Sequence, residues 1–460
     1  MKRREFVAGA AGLALTAGTG PVAAQPPLPR DFVWGASTSA FQIEGALTAD
    51  GRGASVWDAF MRRLGPEMFR QAELACDHYR RFAEDFDLLA RGGFGAYRFS
   101  VAWPRVMPEG RGPINPRGLD FYDRLVDALL ERRIEPWACL YHWDLPQALQ
   151  EVGGWLDRDI KDRFTDYGLA VLRRLGDRVG TWIMLNENAT HSIFGHGLGL
   201  HAPGLRGRRP MLTAMHHQNL AQGEALRAFR AEAGRARLGT VICSEPVRPS
   251  SPSEPDALAA RHFDAVWNRA CLDPLLLGRH PDLLEAEFAA IGRSGDLAII
   301  HQPVDFLGLN YYGPLYVQQD EHSPLGADFG PLPPDMRQTP MGWPIDADAF
   351  TEQLLELKTR YGNPAIHITE NGIGTTDGDA RAMIEDTERV AFLQQHLRVL
   401  AAAIANGVDV RGYFVWSLLD AIEWAEGRKY RFGVVQVNWD DMSRTPRASY
   451  RWLSRLIREG

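Results

Sequence analysis

The chain has 460 residues, 45% of them hydrophobic, and a formal net charge of −7. That is enough apolar material for a large core, and the acidic balance lacks the basic footprint of a nucleic-acid binder. Thirteen tryptophans offer flat faces suited to stacking on sugar rings, and are equally ordinary core material.

The amino terminus reads as a targeting segment. Lys2-Arg3-Arg4-Glu5-Phe6 precedes an Ala- and Gly-rich apolar stretch from Val7 to Ala17, and Val22-Ala23-Ala24 precede Gln25. A twin-arginine pair, a short apolar region and a small-residue cleavage site predict a twin-arginine export signal over 1–24. The stretch is too short and too glycine-rich to span a bilayer. The mature chain is then 25–460, periplasmic or secreted. Its cysteines, Cys76, Cys139, Cys243 and Cys271, show no metal spacing. Export permits a disulfide, but the spacing establishes none, and the four are read as free thiols.

Strand-like apolar runs recur along the chain with helical stretches between them. Phe32–Ala36 comes first, followed by a helix over Asp77–Ala90; then Tyr97–Trp103 and an amphipathic Gly118–Glu131; then Glu135–Trp143 and Ile160–Leu175. Trp182–Glu187 is fourth, with a long helix over about Thr213–Glu232 after it. Leu238–Cys243, Asp305–Tyr312, Ile366–Glu370 and Val410–Leu418 complete the set. Eight such strands alternating with helices imply a parallel sheet, and eight strands close a (β/α)8 TIM barrel, here a single domain. The Pro-rich stretches 244–256 and 320–345 read as extended loops over the barrel mouth.

In such a barrel chemistry belongs at the carboxyl ends of the strands. Two runs end there in an acid: Trp182-Ile183-Met184-Leu185-Asn186-Glu187, and Ile366-His367-Ile368-Thr369-Glu370 before Asn371-Gly372. Either acid alone would read as a helix cap or a surface charge. Together, on one barrel face, they are the minimal equipment for cleaving a glycosidic bond. No His/Cys cluster of ligand spacing and no phosphate-binding glycine loop occurs, so no metal or organic cofactor is implied.

A wider constellation surrounds the pair. Phe32-Val33-Trp34-Gly35 is followed by Gln42 and Glu44-Gly45, Tyr97-Arg98-Phe99-Ser100 by Trp103-Pro104-Arg105, and then come His142-Trp143-Asp144-Leu145-Pro146, Asn186-Glu187 and His201-Ala202-Pro203-Gly204. Asn310-Tyr311-Tyr312, Ile368-Thr369-Glu370-Asn371-Gly372 and Trp416-Ser417-Leu418-Leu419-Asp420 through Glu423-Trp424 follow in order. From about residue 29 to 454 the chain resembles family 1 glycoside hydrolases, the retaining β-glucosidases and their relatives.

The resemblance implies Glu370 as nucleophile and Glu187 as acid/base, with Arg98 beneath the nucleophile, Tyr312 donating to it, and Asn186 holding the sugar 2-hydroxyl. It implies a sugar subsite of Gln42, His142, Trp143, Asn186, Asn310, Glu423 and Trp424 with Trp416 as the stacking platform, and Trp343 and Phe432 among the substrate contacts. Trp343, in Met341-Gly342-Trp343-Pro344, matches an aglycone-side platform or packs its own loop. A carboxylate at Glu423 suits neutral hydroxyls and disfavours a sugar phosphate.

Three positions depart from the family pattern: Asn188 replaces the proline after the acid, Ala421 replaces an asparagine, and Ile422 a phenylalanine. Loss of the proline would let the acid-bearing turn relax. The implied function is hydrolysis of terminal β-D-glucosyl residues from small β-glycosides or oligosaccharides. Transglycosylation at the same site is the chemical alternative, and a silent sugar-binding barrel the non-catalytic one. Binding alone would need neither glutamate.

Overall fold

The computed structural model describes residues 28–459, so the proposed export segment, 1–24, lies outside the described residues. Eight parallel strands form a closed barrel: β1 (Val33–Ser37), β2 (Ala96–Ser100), β3 (Glu135–Cys139), β4 (Thr181–Asn186), β5 (Arg237–Cys243), β6 (Phe306–Asn310), β7 (Ile366–Asn371) and β8 (Val410–Trp416). Each neighbours the next in sequence, and β8 returns to β1 with Val33 opposite Gly412 and Ser37 opposite Trp416. The strands are almost wholly buried because helices cover the outside and side chains fill the inside.

The covering helices include His78–Gly92, Pro116–Glu131, Ile160–Leu175, Arg208–Glu232, Ala347–Tyr361, Thr387–Ala405 and Ala448–Glu459. Their ends are written in the sequence. At Ala347–Tyr361 the Asp346 carboxylate accepts from the backbone N–H groups of Asp348 and Ala349, and Gly362 closes the other end at φ 73°. None of the described helices is long and apolar enough to cross a membrane.

Inside the barrel the lower layer is built on Trp137, whose ring meets Phe306 at 5.3 Å, Phe414 at 4.8 Å and His367 at 4.8 Å. This plug explains two strand glycines. A Cβ on Gly35 would sit 2.3 Å from the Phe414 ring, and one on Gly239 2.6 Å from Phe306. The plug fills the lower layer of the barrel, below the strand carboxyl ends.

Two expectations need correction. The stretches 244–256 and 320–345 are not simply loops: Val247–Pro249, Leu315–Gln319 and Ala327–Phe329 form a three-stranded sheet, and the helix Glu254–Asp264 starts within the first stretch. Such short strands become visible only once their partners, far off in sequence, supply the hydrogen bonds. Arg98, which the sequence places at a strand end, likewise sits in the middle of β2. All four cysteines are free and buried.

Trp137→Ala should lower stability by about 3–5 kcal/mol, as truncation of a fully buried aromatic does. The exposed Leu355→Ala should stay within about 0.5 kcal/mol. Chemical denaturation of the two variants checks both, and equal losses would contradict the plug.

Candidate active site

A cavity of about 500 Å³ opens at the carboxyl ends of the strands, with Glu187 and Glu370 on its wall. Both acids arrive through irregular backbone. The β4–β5 ladder shifts register between Ile183 and Asn186, and the β6–β7 ladder between Ile368 and Glu370. Such irregularities re-aim the side chains that follow them. Glu187 itself has φ 51°, a left-handed conformation costing roughly 1–3 kcal/mol in a non-glycine residue. Its backbone N–H donates to Val241 O at 2.8 Å and its C=O accepts from His191 N at 2.9 Å, which hold the turn.

The residue after it is the departure from the family pattern. Asn188 does not leave the turn loose: it begins a short helix, Asn188–Ser192, is 2% exposed, and donates through Nδ2 to Asn219 Oδ1 at 2.6 Å. Asn219 lies on the long helix Arg208–Glu232 and donates in turn to Ala270 O. A side-chain hydrogen bond does here what a fixed φ would do in a proline. Ala421 and Ile422 are both buried in the core.

Beneath Glu370 lies a buried polar lattice. Arg98 Nη1 donates to Glu370 Oε1 at 2.5 Å and its Nη2 to Asn186 Oδ1 at 2.5 Å. Tyr312 donates its hydroxyl to Glu370 Oε2 at 2.7 Å. Asn310 donates through Nδ2 to Glu187 Oε1 at 2.5 Å and to Asn186 Oδ1 at 3.2 Å, and accepts from Thr369 Oγ1 at 2.7 Å. Asn310 thus ties Glu187 to Asn186, and Arg98 ties Asn186 to Glu370, so one chain of hydrogen bonds joins both acids.

These contacts set protons. Asn186 Oδ1 accepts two bonds, which orients its amide, and Nδ2 then donates to His142 Nε2 at 3.0 Å. The His142 proton therefore sits on Nδ1, which has no partner within the protein. Burial and the Arg98 charge hold this ring neutral. Burial raises Glu187 well above the usual carboxylate range, and the charge of Glu370 raises it further. Burial also raises Glu370, but Arg98 and the donors around it oppose that rise. Of the two, Glu187 holds the proton.

The cavity brings together most of the residues singled out in the sequence. His142, Trp143, Glu187, Tyr312, Trp343, Glu370, Trp416, Glu423, Trp424 and Phe432 all line it. Trp143 and Trp424 stack with centroids 4.6 Å apart, and His142 lies 5.9 Å from Trp416. Trp343 meets Tyr312 at 5.3 Å and Phe432 at 6.0 Å.

Arg98, Asn186 and Asn310 lie just behind the wall. Gln42 does not reach it: its Nε2 donates to Ile422 O at 2.7 Å and its Oε1 accepts from Ser39 Oγ at 2.6 Å. The lining also contains residues the sequence reading did not single out as site residues, among them Phe194, Cys243, Glu245, Trp267 and Phe329. Glu245 carried a usable signal, since it lies two residues beyond the carboxyl end of β5.

Comparison with known proteins meets this geometry. The model of glycosyl hydrolase family 1 matches residues 24–460. The chain belongs to that family. It is 40% identical over 440 residues to beta-glucosidase A of Acetivibrio thermocellus, covering 94% of this chain and 98% of the relative. The psychrophilic beta-glucosidase of Micrococcus antarcticus superposes with a TM-score of 0.88 at 42% identity, covering 94% and 97% of the two chains. The Thermotoga maritima beta-glucosidase in complex with glucoimidazole gives 0.88 at 37% identity, covering 94% and 99%. The chain is thus a family 1 glycosyl hydrolase, an enzyme on a (β/α)8 barrel.

Within this family 1 site, the hydrogen bond from Tyr312 favours ionised Glu370 and so lowers its proton affinity. Tyr312→Phe removes that bond. It should move the acid limb of the kcat/KM profile to higher pH and reduce kcat/KM by roughly tenfold or more, the worth of one hydrogen bond to a charged group. An unmoved acid limb would contradict the assignment.

Proposed function

We propose that the chain is a retaining β-glucosidase that releases terminal non-reducing β-D-glucosyl residues by double displacement. The observation that carries the reading is the chain of hydrogen bonds from Glu187 through Asn310, Asn186 and Arg98 to Glu370, which joins the two carboxyls across one cavity. Membership of family 1 supports the retaining arrangement, with carboxyls about 5–5.5 Å apart, over the roughly 6.5–9.5 Å needed to admit a water between them.

Each role follows from its surroundings. Glu370, flanked by Arg98 and Tyr312, attacks the anomeric carbon as Glu187 gives its proton to the departing oxygen. In the covalent glycosyl-enzyme Glu370 is an ester and carries no charge. The like-charge push on Glu187 is then gone, its proton affinity falls, and it takes a proton from the incoming water. Release of the sugar returns both acids to their starting states.

The sugar end of the cavity supports a neutral ligand. Trp416 offers a flat face, and the His142 Nδ1 proton is available to a hydroxyl. Burial and the charge of Glu370 push Glu423 up to about 8, so at neutral pH it is mostly an uncharged acid that both donates and accepts. Discrimination against a sugar phosphate therefore rests less on repulsion by Glu423 than on the cavity lining, which contains no Lys or Arg. The naming of the relatives as beta-glucosidases supports glucose as the preferred sugar.

Glu370→Ala should abolish hydrolysis of cellobiose while glucose or a glucose-shaped inhibitor still binds. Glu187→Ala should still form the glycosyl-enzyme from activated aryl glucosides, with azide restoring product release as a β-glucosyl azide. Full activity of both variants on cellobiose would refute the reading.

We further infer export through the twin-arginine route, supported by the Arg3-Arg4 pair and the Val22-Ala23-Ala24 cleavage site. The exported protein should begin at Gln25, and a precursor carrying Arg3→Lys and Arg4→Lys should stay uncleaved in the cytoplasm. Amino-terminal sequencing after cell fractionation checks this. A mature protein that kept residues 1–24 would contradict it.

A further inference from the structure

Bond cleavage leaves one buried acid of the cavity without a task. Glu245 is 2% exposed and lines the cavity beside Trp267. Its backbone is pinned on both sides by Asn268, whose Oδ1 accepts from Glu245 N at 3.2 Å and whose Nδ2 donates to Glu245 O at 2.9 Å. Its carboxyl is fixed as firmly: Oε2 accepts from Trp267 Nε1 at 2.7 Å and Oε1 from Cys243 Sγ at 3.0 Å. A carboxylate has about four acceptor positions, so these bonds orient Glu245 without exhausting it. No hydrogen bond among the described residues joins it to Glu187 or Glu370.

The side chains around it are mainly aromatic, with Thr190 and His201 the polar groups beside them. Trp267 lies at right angles to Phe194, with centroids 6.1 Å apart, and Phe194 stacks parallel to Phe329 at 6.4 Å. At the rim Phe329 is 40% and Leu200 57% exposed, which is unusual for large apolar groups beside a polar site. A second sugar ring here would bring several hydroxyls to a surface offering few partners. A flat aromatic group would cover the carbon surface and need one acceptor for one donor.

Building on the β-glucosidase reading, we propose that Glu245 determines leaving-group specificity by accepting a hydrogen bond from a hydroxyl on an aromatic aglycone. Phenolic aryl β-glucosides are then favoured over the unsubstituted aryl glucoside.

The test compares kcat/KM for 4-hydroxyphenyl β-glucoside and phenyl β-glucoside, whose leaving groups have similar acidity, with cellobiose as a third substrate, at pH 8, above the value of about 7 to which burial pushes Glu245. Wild type should favour the hydroxyphenyl substrate by roughly tenfold, the worth of a hydrogen bond to a charged group. Glu245→Leu should bring that ratio to about one and leave the phenyl glucoside rate within a few fold. Glu245→Gln keeps an acceptor for the Trp267 indole and should lower the ratio about threefold or more, since charge-assisted bonds are roughly twice as strong as neutral ones. It carries the test should the Leu variant fail to fold.

A ratio unchanged by substitution, or a wild type with no preference, would overturn the assignment alone. A fall on cellobiose equal to that on the hydroxyphenyl substrate would overturn its aromatic part. Wild type inactive on all three substrates would overturn the glucosidase reading, and this assignment with it.

Discussion

One buried cation organises the catalytic end of the barrel. Arg98 is fully buried in mid-β2, and removing a guanidinium from water is tolerated only when buried acceptors offset the lost hydration. It finds Glu370 through one nitrogen and Asn186 through another. That double attachment immobilises the Glu370 carboxyl. It also orients the Asn186 amide, which in turn places the His142 proton on the nitrogen left without a protein partner. The Glu370 carboxyl and the His142 proton thus take their places from one electrostatic requirement. The bulged ends of β4 and β7 are the backbone's share of the same arrangement, because straight ladders would alternate those side chains differently.

The cavity is short of positive charge. Glu187, Glu370 and Glu423 all line it, its lining includes no Lys or Arg, and Arg98 lies just behind it. In a poorly solvated space three carboxyls near one cation cannot all ionise, so protons are retained. Burial pushes Glu423 to about 8 and raises Glu187 well above the usual range. A site that stores protons at neutral pH is suited to general acid catalysis. It also depends on the charge of Glu370, so neutralising that residue by esterification changes the state of its partner without any movement of the chain.

Much of this was legible from the amino acids. Eight apolar runs of strand length, separated by helical stretches, were sufficient for a closed barrel, and polar residues at the run ends marked its working face. What stayed hidden depends on geometry that no local pattern encodes. The left-handed backbone of Glu187 is visible only against Val241, and the hydrogen bond that replaces a proline at Asn188 needs Asn219, 31 residues away. The hydrogen bond from Gln42 to the carbonyl of Ile422 spans 380 residues of sequence. The small sheet of Val247–Pro249, Leu315–Gln319 and Ala327–Phe329 is too short for its periodicity to stand out. Glu245 was missed for a different reason: it obeyed the rule applied to Glu187 and Glu370, an acid just past a strand's end, but stood in a stretch read as a loop.

The central claim is that Glu370, held by Arg98, forms the covalent bond to the sugar. Its most direct test is mass spectrometry of peptides from enzyme treated with an activated 2-deoxy-2-fluoro-β-glucoside, which slows release of the intermediate. The account predicts one fluoroglucosyl group, attached to the peptide at Glu370. Label on any other residue, or turnover that never yields an adduct, would contradict it.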